Sequence, residues 1–214
     1  MSQNIERAEL HRALWKIAND LRGSVDGWDF KQYVLGIMFY RFISENLTDY
    51  LDSDLAEGES GYASMSNVDV AANPEEIQDV VREKGFFILP EHLFENVRAR
   101  ANLNNENLNE ELQEVFRSIE ASATGVLPEE DNKIRGLFDD LDVTSNKLGA
   151  TVSKRNGLLL KLLNEVGNFK LGRYADAHND TFGDTYEYLM GMYASDAGKS
   201  GGEYYTPQSV SELL

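Results

Sequence analysis

The sequence predicts a mostly α-helical protein, and three observations carry the prediction. Apolar residues recur at steps of three and four over several long stretches. Prolines, acids and glycines sit where helices start and stop. Hydrophobic residues make up 42% of the chain and charged residues 27%, ordinary proportions for a chain that buries a core.

From Glu6 to Leu21 the positions Leu10, Leu14, Ile17 and Leu21 share one helical face, and Gly23 suits the stop. A second pattern runs from Trp28 to about Leu51 through Phe30, Tyr33, Val34, Ile37, Met38, Phe42, Ile43, Leu47 and Tyr50. It is too apolar for a lone surface helix, so it is expected at the centre of the core. Asp52 to Asn73 is rich in Asp, Ser, Gly and Ala and reads as a long exposed connection, a place for disorder with at most one short helical turn. Asn73-Pro74-Glu75-Glu76 then supplies an N-cap, a proline at the first helical position and acids in the first turn, and Gly85 ends that helix. Phe86 to Leu89 is an apolar run with the length of a strand, and Pro90-Glu91 opens a helix through Leu93, Phe94, Val97 and Ala101.

Asn107 to Ala121 aligns Leu108, Leu112, Val115, Phe116 and Ile119, with Gly125 beyond it. Further helical pieces are expected over about Lys133–Phe138 and Asn156–Val166. Residues 1–167 therefore read as one helical domain. The polar stretch 168–181, with Asn168, Lys170, Gly172, Arg173, Asp176, His178, Asn179 and Asp180, reads as a linker. A new helix near Phe182 or Gly183 carries Tyr186, Leu189, Met190 and Tyr193 into a second domain, 182–214.

Twenty Lys and Arg against 37 Asp and Glu give a net charge of −17. A free-standing DNA binder needs basic residues to displace counterions from phosphates, so any DNA contact here is expected to be local or delegated to a partner. Cysteine is absent, and His11, His92 and His178 are too scattered for a zinc site, so no metal is expected. No apolar run approaches the roughly 18 residues of a membrane-spanning helix, and Met1–Arg12 has no secretory h-region. A cytoplasmic location is the expectation.

Gly198-Lys199-Ser200 invites comparison with a phosphate-binding P-loop, but the glycine required five residues earlier is Tyr193. The spacing of Gly198, Gly201 and Gly202 does not match a dinucleotide fingerprint either. What remains is a glycine-rich loop, Tyr204 and Tyr205, and Thr206-Pro207 opening a helix. Thr206 can cap free amides there, leaving a positive helix end that suits a small carboxylate. The plainer reading is a structural helix start with two core tyrosines.

The run from Phe182-Gly183-Asp184-Thr185-Tyr186 through Gly198-Lys199-Ser200-Gly201-Gly202-Glu203-Tyr204-Tyr205-Thr206-Pro207 closely resembles the segment leading into the methyltransferase domain of type I restriction-modification modification subunits. Leu14-Trp15-Lys16 with Leu21-Arg22-Gly23-Ser24, Tyr33 to Phe39, and Gly136-Leu137-Phe138 through Asn146-Lys147-Leu148-Gly149 resemble that family's helical amino-terminal domain, in the same order. The resemblance implies a helical N-terminal domain followed by the first helix of an α/β methyltransferase domain. It further implies an adenine-specific DNA methyltransferase that uses S-adenosylmethionine. Its partners would be the specificity and restriction subunits, a second modification subunit, and DNA within the complex.

Glu203, Tyr204, Tyr205, Thr206, Pro207 and Gln208 are similar to motif X of the family, a wall of the cofactor site, and are the positions implied to touch S-adenosylmethionine; the carboxylate-binding helix start then has a target. The family's motif I and its Asn-Pro-Pro-aromatic motif, which grips the flipped adenine, have no counterpart. The four prolines, Pro74, Pro90, Pro128 and Pro207, have no prolyl neighbours. Catalytic residues are therefore expected after Leu214, and the chain alone is expected to be inert.

Other residues have plainer readings. Trp15 and Trp28 suit helix faces in a core. Asp139, Asp140 and Asp142 lack calcium-loop spacing and read as a solvated acidic face. Lys147, Lys154, Arg155 and Lys161 are the densest basic stretch and the candidate contact to DNA phosphates or a partner. Two rival readings stay open. One is a stand-alone helical interaction module without catalysis. The other is a related single-chain restriction-methylation protein, which would carry nuclease or recognition regions on the same chain.

Overall fold

The computed structural model describes residues 12, 27–56 and 58–168, with side chains from residue 32 onward in the first long helix. The chain divides into one unit of Gln32–Gly167 and another of Met1–Lys31 with Asn168–Leu214. The contacts below lie within the first. Its helices are α1 (Gly27–Leu51), α2 (Asn67–Ala71), α3 (Pro74–Lys84), α4 (Phe94–Leu103), α5 (Leu108–Ala121) and α6 (Val152–Gly167), with 3-10 turns at Tyr62–Ser64, Pro90–His92 and Asn146–Leu148. Among the described residues there is no strand, only an isolated bridge between Thr124 and Leu127. The fold is mostly α, as the periodicity predicts.

The second apolar pattern forms α1, and Tyr33, Val34, Ile37, Met38, Tyr40, Ile43 and Leu47 are all buried on it. Burial of this many apolar side chains on a single helix requires neighbours on several sides, as the central position demands. The Tyr40 ring meets Phe94 of α4 edge-on at 5.5 Å and Phe116 of α5 at 5.4 Å, and Phe116 stacks on Phe138 at 4.4 Å. These aromatic contacts join α1, α4, α5 and the irregular segment 122–145 into one core. Helix α6 packs against both α4 and α5. It buries Leu159, Leu162, Leu163 and Val166.

Five segments differ from the sequence expectation. The connection Asp52–Asn73 is anchored rather than loose: Tyr62 is buried, its amide donates to Asp52 Oδ1 (2.7 Å) and its hydroxyl donates to the Ile88 carbonyl (2.6 Å). Ser66 accepts from the Asp69 amide and starts α2. Phe86–Leu89 is not a strand. Among the described residues no neighbouring strand pairs with it, and its polar backbone is met by side chains instead, Ser122 Oγ accepting from the Phe87 amide (2.9 Å) and Tyr62 donating to Ile88.

The helix expected from Pro90 begins later. Pro90–His92 is a 3-10 turn, Leu93 is extended (φ −65°, ψ 144°), and the α-helix starts at Phe94. Lys133–Phe138 is a run of turns without a helix, because Gly136 is left-handed (φ 73°) and the Phe138 amide bonds the Glu120 carboxylate (2.8 Å) in place of a helical carbonyl. The expected start of the last helix also moves, from Asn156 to Val152. Asn73-Pro74 and Gly85 do bracket α3, with Gly85 in the left-handed cap (φ 86°).

Candidate functional site

Glu203, Tyr204, Tyr205, Thr206, Pro207 and Gln208, the cofactor positions implied by the sequence, lie outside the described residues, as do the helix expected near Phe182 and the linker 168–181 beyond Asn168. The described unit holds two features that bear on function: polar joints that set the course of its helices, and an acidic, apolar groove on its surface.

The joints begin with Arg41, a buried charge on α1. Its Nε donates to Glu45 Oε1 (2.6 Å) and its Nη1 donates to the Val166 carbonyl (2.6 Å) in the last turn of α6. A guanidinium at a helix C-terminus satisfies an orphan carbonyl and complements the negative end of the helix dipole. It also holds the last turn of α6 against α1. Beside it, Arg98 of α4 donates to Asn164 Oδ1 (3.1 Å).

Two helix N-termini are capped from other helices. Ser44 Oγ on α1 accepts from the Phe94 amide (3.2 Å), because the residue before α4 is leucine and has no acceptor. Asn156 Oδ1 on α6 accepts from the Asn109 amide (3.1 Å), while its Nδ2 donates to the Glu106 carbonyl (2.6 Å). Asn107, the local N-cap of α5, makes no side-chain cap bond. Sequence reading missed Arg41, Ser44 and Asn156. Their only signal was a polar residue in the midst of a buried apolar face.

Burial also shapes ionisation. Tyr40 is fully enclosed, its hydroxyl donates to the His92 carbonyl (2.5 Å), and burial raises its pKa well above the usual phenol value. Burial likewise raises Tyr62. His92 is pushed down by burial, Arg100 adding to this and Glu114, Glu91 and Glu111 opposing it; its Nδ1 is buried without a partner. In each case burial favours the uncharged form. Among the described residues no cluster of His, Asp or Glu is arranged to hold a metal ion. Asp142 instead accepts from the Thr144 amide and hydroxyl.

The basic stretch is not one free surface. Arg155 donates to Asn146 Oδ1 (3.0 Å) and the Gly149 carbonyl (3.1 Å), bracing the turn before α6. Lys147 and Lys161 have partners of their own in the chain. Only Lys154 keeps the exposed, unengaged character that phosphate contact requires.

The groove lies between the end of α1, the Tyr62 turn, α2 and α3. Tyr62, Val70 and Phe87 form its buried floor, Leu51, Leu55, Met65, Ile77 and Val80 its apolar walls, and Asp52 and Glu76 its charged edge; its volume is about 210 Å³. Small-molecule sites run from about 300 Å³ and carry convergent polar groups. This one is smaller, and its polar side chains are Asp52, Glu76, the exposed Ser60 and Asn73, and Tyr62, whose hydroxyl is already bonded to Ile88. Among the described residues no helix is long and apolar enough to cross a membrane.

Comparison with known proteins shows what the chain is similar to. The model of the HsdM N-terminal domain matches residues 10–166, and that of the N-6 DNA Methylase family matches residues 177–214. The chain is 41% identical over 212 residues to the type I restriction enzyme MpnII methylase subunit of Mycoplasma pneumoniae, covering 98% of this chain and 39% of that one. It is 25% identical over 206 residues to the MjaIX methylase subunit of Methanocaldococcus jannaschii, covering 96% of this chain and 34% of the relative. The crystal structure of a type I restriction-modification system methyltransferase subunit from Streptococcus thermophilus matches with a TM-score of 0.71 at 32% identity, over 97% of this chain and 43% of that one. The chain thus spans about four-tenths of the length of these proteins or less.

Proposed function

We propose, from the premise that this chain belongs to the HsdM N-terminal domain family of type I restriction-modification methylase subunits, that it is the helical docking part of a DNA adenine methyltransferase. In the complete subunit, bound to a specificity subunit, the protein transfers a methyl group to N6 of adenine in DNA. The observation that carries this reading is the order of the two family matches, a helical domain over 10–166 followed by an N-6 DNA Methylase match from 177.

The charge supports a division of labour. With a net charge of −17 the chain repels a phosphate backbone, so target reading falls to the specificity subunit. The restriction subunit and a second modification subunit complete the complex around DNA, in the cytoplasm. Residues 168–181 join the helical domain to the methyltransferase domain. S-adenosylmethionine supplies the methyl group. Glu203, Tyr204, Tyr205, Thr206, Pro207 and Gln208 line one wall of its site, with the helix opening at Thr206-Pro207 directing free amides toward the cofactor carboxylate. Residues 1–214 alone hold no gripping motif for a flipped adenine and are inert.

The test is methyl transfer from radiolabelled S-adenosylmethionine to DNA, followed by nucleoside analysis. Residues 1–214 alone should transfer nothing, and the complete subunit with its specificity subunit should yield N6-methyladenine. Failure of the assembled pair to label adenine overturns the enzymatic reading, and labelling by residues 1–214 overturns the inertness.

A further inference from the structure

The groove between α1, α2 and α3 combines exposed apolar walls with a strongly acidic surround. Leu55 and Met65 stand 40% and 46% exposed on its walls above a buried aromatic floor. Apolar side chains gathered around a concavity mark a binding surface more often than scattered ones do. The surrounding chain is strongly acidic. Between Glu45 and Glu91 it carries twelve acidic side chains and two basic ones, Arg82 and Lys84. Both bases are engaged, Arg82 with Asp79 (2.6 Å) and Lys84 with Glu83 and over the Tyr50 ring (3.7 Å).

We infer that this groove docks a basic amphipathic segment of a partner polypeptide, one whose apolar side chains enter between Leu55, Met65 and Ile77 while its Lys or Arg residues meet Asp52, Glu76 and the exposed acids beside them. Charge complementarity selects this occupant over the others. Nucleic acid is repelled by the acidic rim. A second copy of the chain, also at −17, meets the same repulsion. A cofactor would lack both the space and the fixed donors. A volume of about 210 Å³ suits one or two anchoring side chains, the pattern by which helices dock in grooves. The rim charges steer encounter while the apolar anchors hold the complex.

The inference does not depend on methyl transfer and is tested apart from it. The full chain is titrated by fluorescence anisotropy, in about 0.15 M salt, with two labelled peptides of equal charge and about 18 residues. One is an amphipathic helix of Leu and Lys; in the other every Leu is Ser. The Leu/Lys peptide should bind about tenfold or more tightly than the Ser/Lys peptide. The double variant Leu55→Ser/Met65→Ser should remove most of that preference with unchanged far-ultraviolet circular dichroism. Glu75→Gln/Glu76→Gln should weaken both peptides and flatten their salt dependence. Hydrogen-exchange protection on adding the Leu/Lys peptide should fall on residues 51–80. Equal affinity for the two peptides, a preference that survives the Leu55/Met65 variant, or protection mapped to another surface would each overturn the inference.

Discussion

Replacing Arg41 with Met removes a buried guanidinium while keeping most of its volume, and it isolates the joint between α1 and α6. The Val166 residue it serves is fully buried, so the orphaned carbonyl has no ready access to water. A hydrogen bond from a charged donor contributes about 1.5–3 kcal/mol, and a favourable charge at a helix C-terminus adds about 0.3–1 kcal/mol. The expected loss is therefore about 2–4 kcal/mol. The ion pair with Glu45 adds little, because the Glu45 side chain is 40% exposed and solvated; Glu45→Gln should cost less than about 1 kcal/mol.

Urea unfolding of the full chain by circular dichroism reads the difference. With a slope of about 2–3 kcal/mol/M, the Arg41→Met midpoint should fall by about 1 M. Amide exchange gives the local signature, since the last turn of α6 around Val166 should exchange faster in Arg41→Met and not in Glu45→Gln. A loss below about 0.5 kcal/mol, or equal losses for the two variants, would refute the assignment of the joint to the buried carbonyl.

Tyr62→Phe deletes the hydroxyl that bonds the Ile88 carbonyl within a buried site and should cost about 1–3 kcal/mol in the same urea assay, with faster exchange through residues 60–66. Phe116→Ala empties the position between Tyr40 and Phe138 and should cost about 3–5 kcal/mol, read as a drop in thermal midpoint. His92 has a folded pKa below its ordinary 6.5, so the unfolded chain binds the proton more readily. Stability should fall as pH drops through that ordinary value and level off below the folded one. From about pH 8 to about pH 5 the wild type should lose more stability than His92→Gln, and parallel pH profiles would contradict the burial of Nδ1.

Much of the helical architecture was legible because helix faces are local facts. In α5 the spacing of Leu108, Leu112, Val115, Phe116 and Ile119 named the buried face directly, and in α1 the same pattern marked the centre of the core. Phe86–Leu89 shows where that logic ends. An apolar run says that the segment is buried, and Phe87 and Ile88 are, but a strand also needs a partner strand, which no local pattern reveals. The connection Asp52–Asn73 read as loose for the converse reason. Its polar composition hid one buried tyrosine that ties it to the Ile88 backbone 26 residues away. The groove followed from that anchoring, and so it was invisible in the sequence. The cofactor positions Glu203–Gln208 are implied by family resemblance alone and lie outside the described residues.

Composition, motif and local spacing were enough for the helical class, the positions of α1, α3 and α5, the net charge of −17, and the family. All of these depend on composition, on motif, or on residues three and four apart. Tertiary structure alone decided how the ends of those helices and the segments between them are held. Ser44 caps α4 from 50 residues away, Asn156 caps α5 from 47, and Arg41 closes α6 from 125. The physical reason is that a buried amide or carbonyl must find a partner. At a helix end its own neighbours often have none to offer, so the fold recruits one from wherever packing has brought a polar side chain within reach.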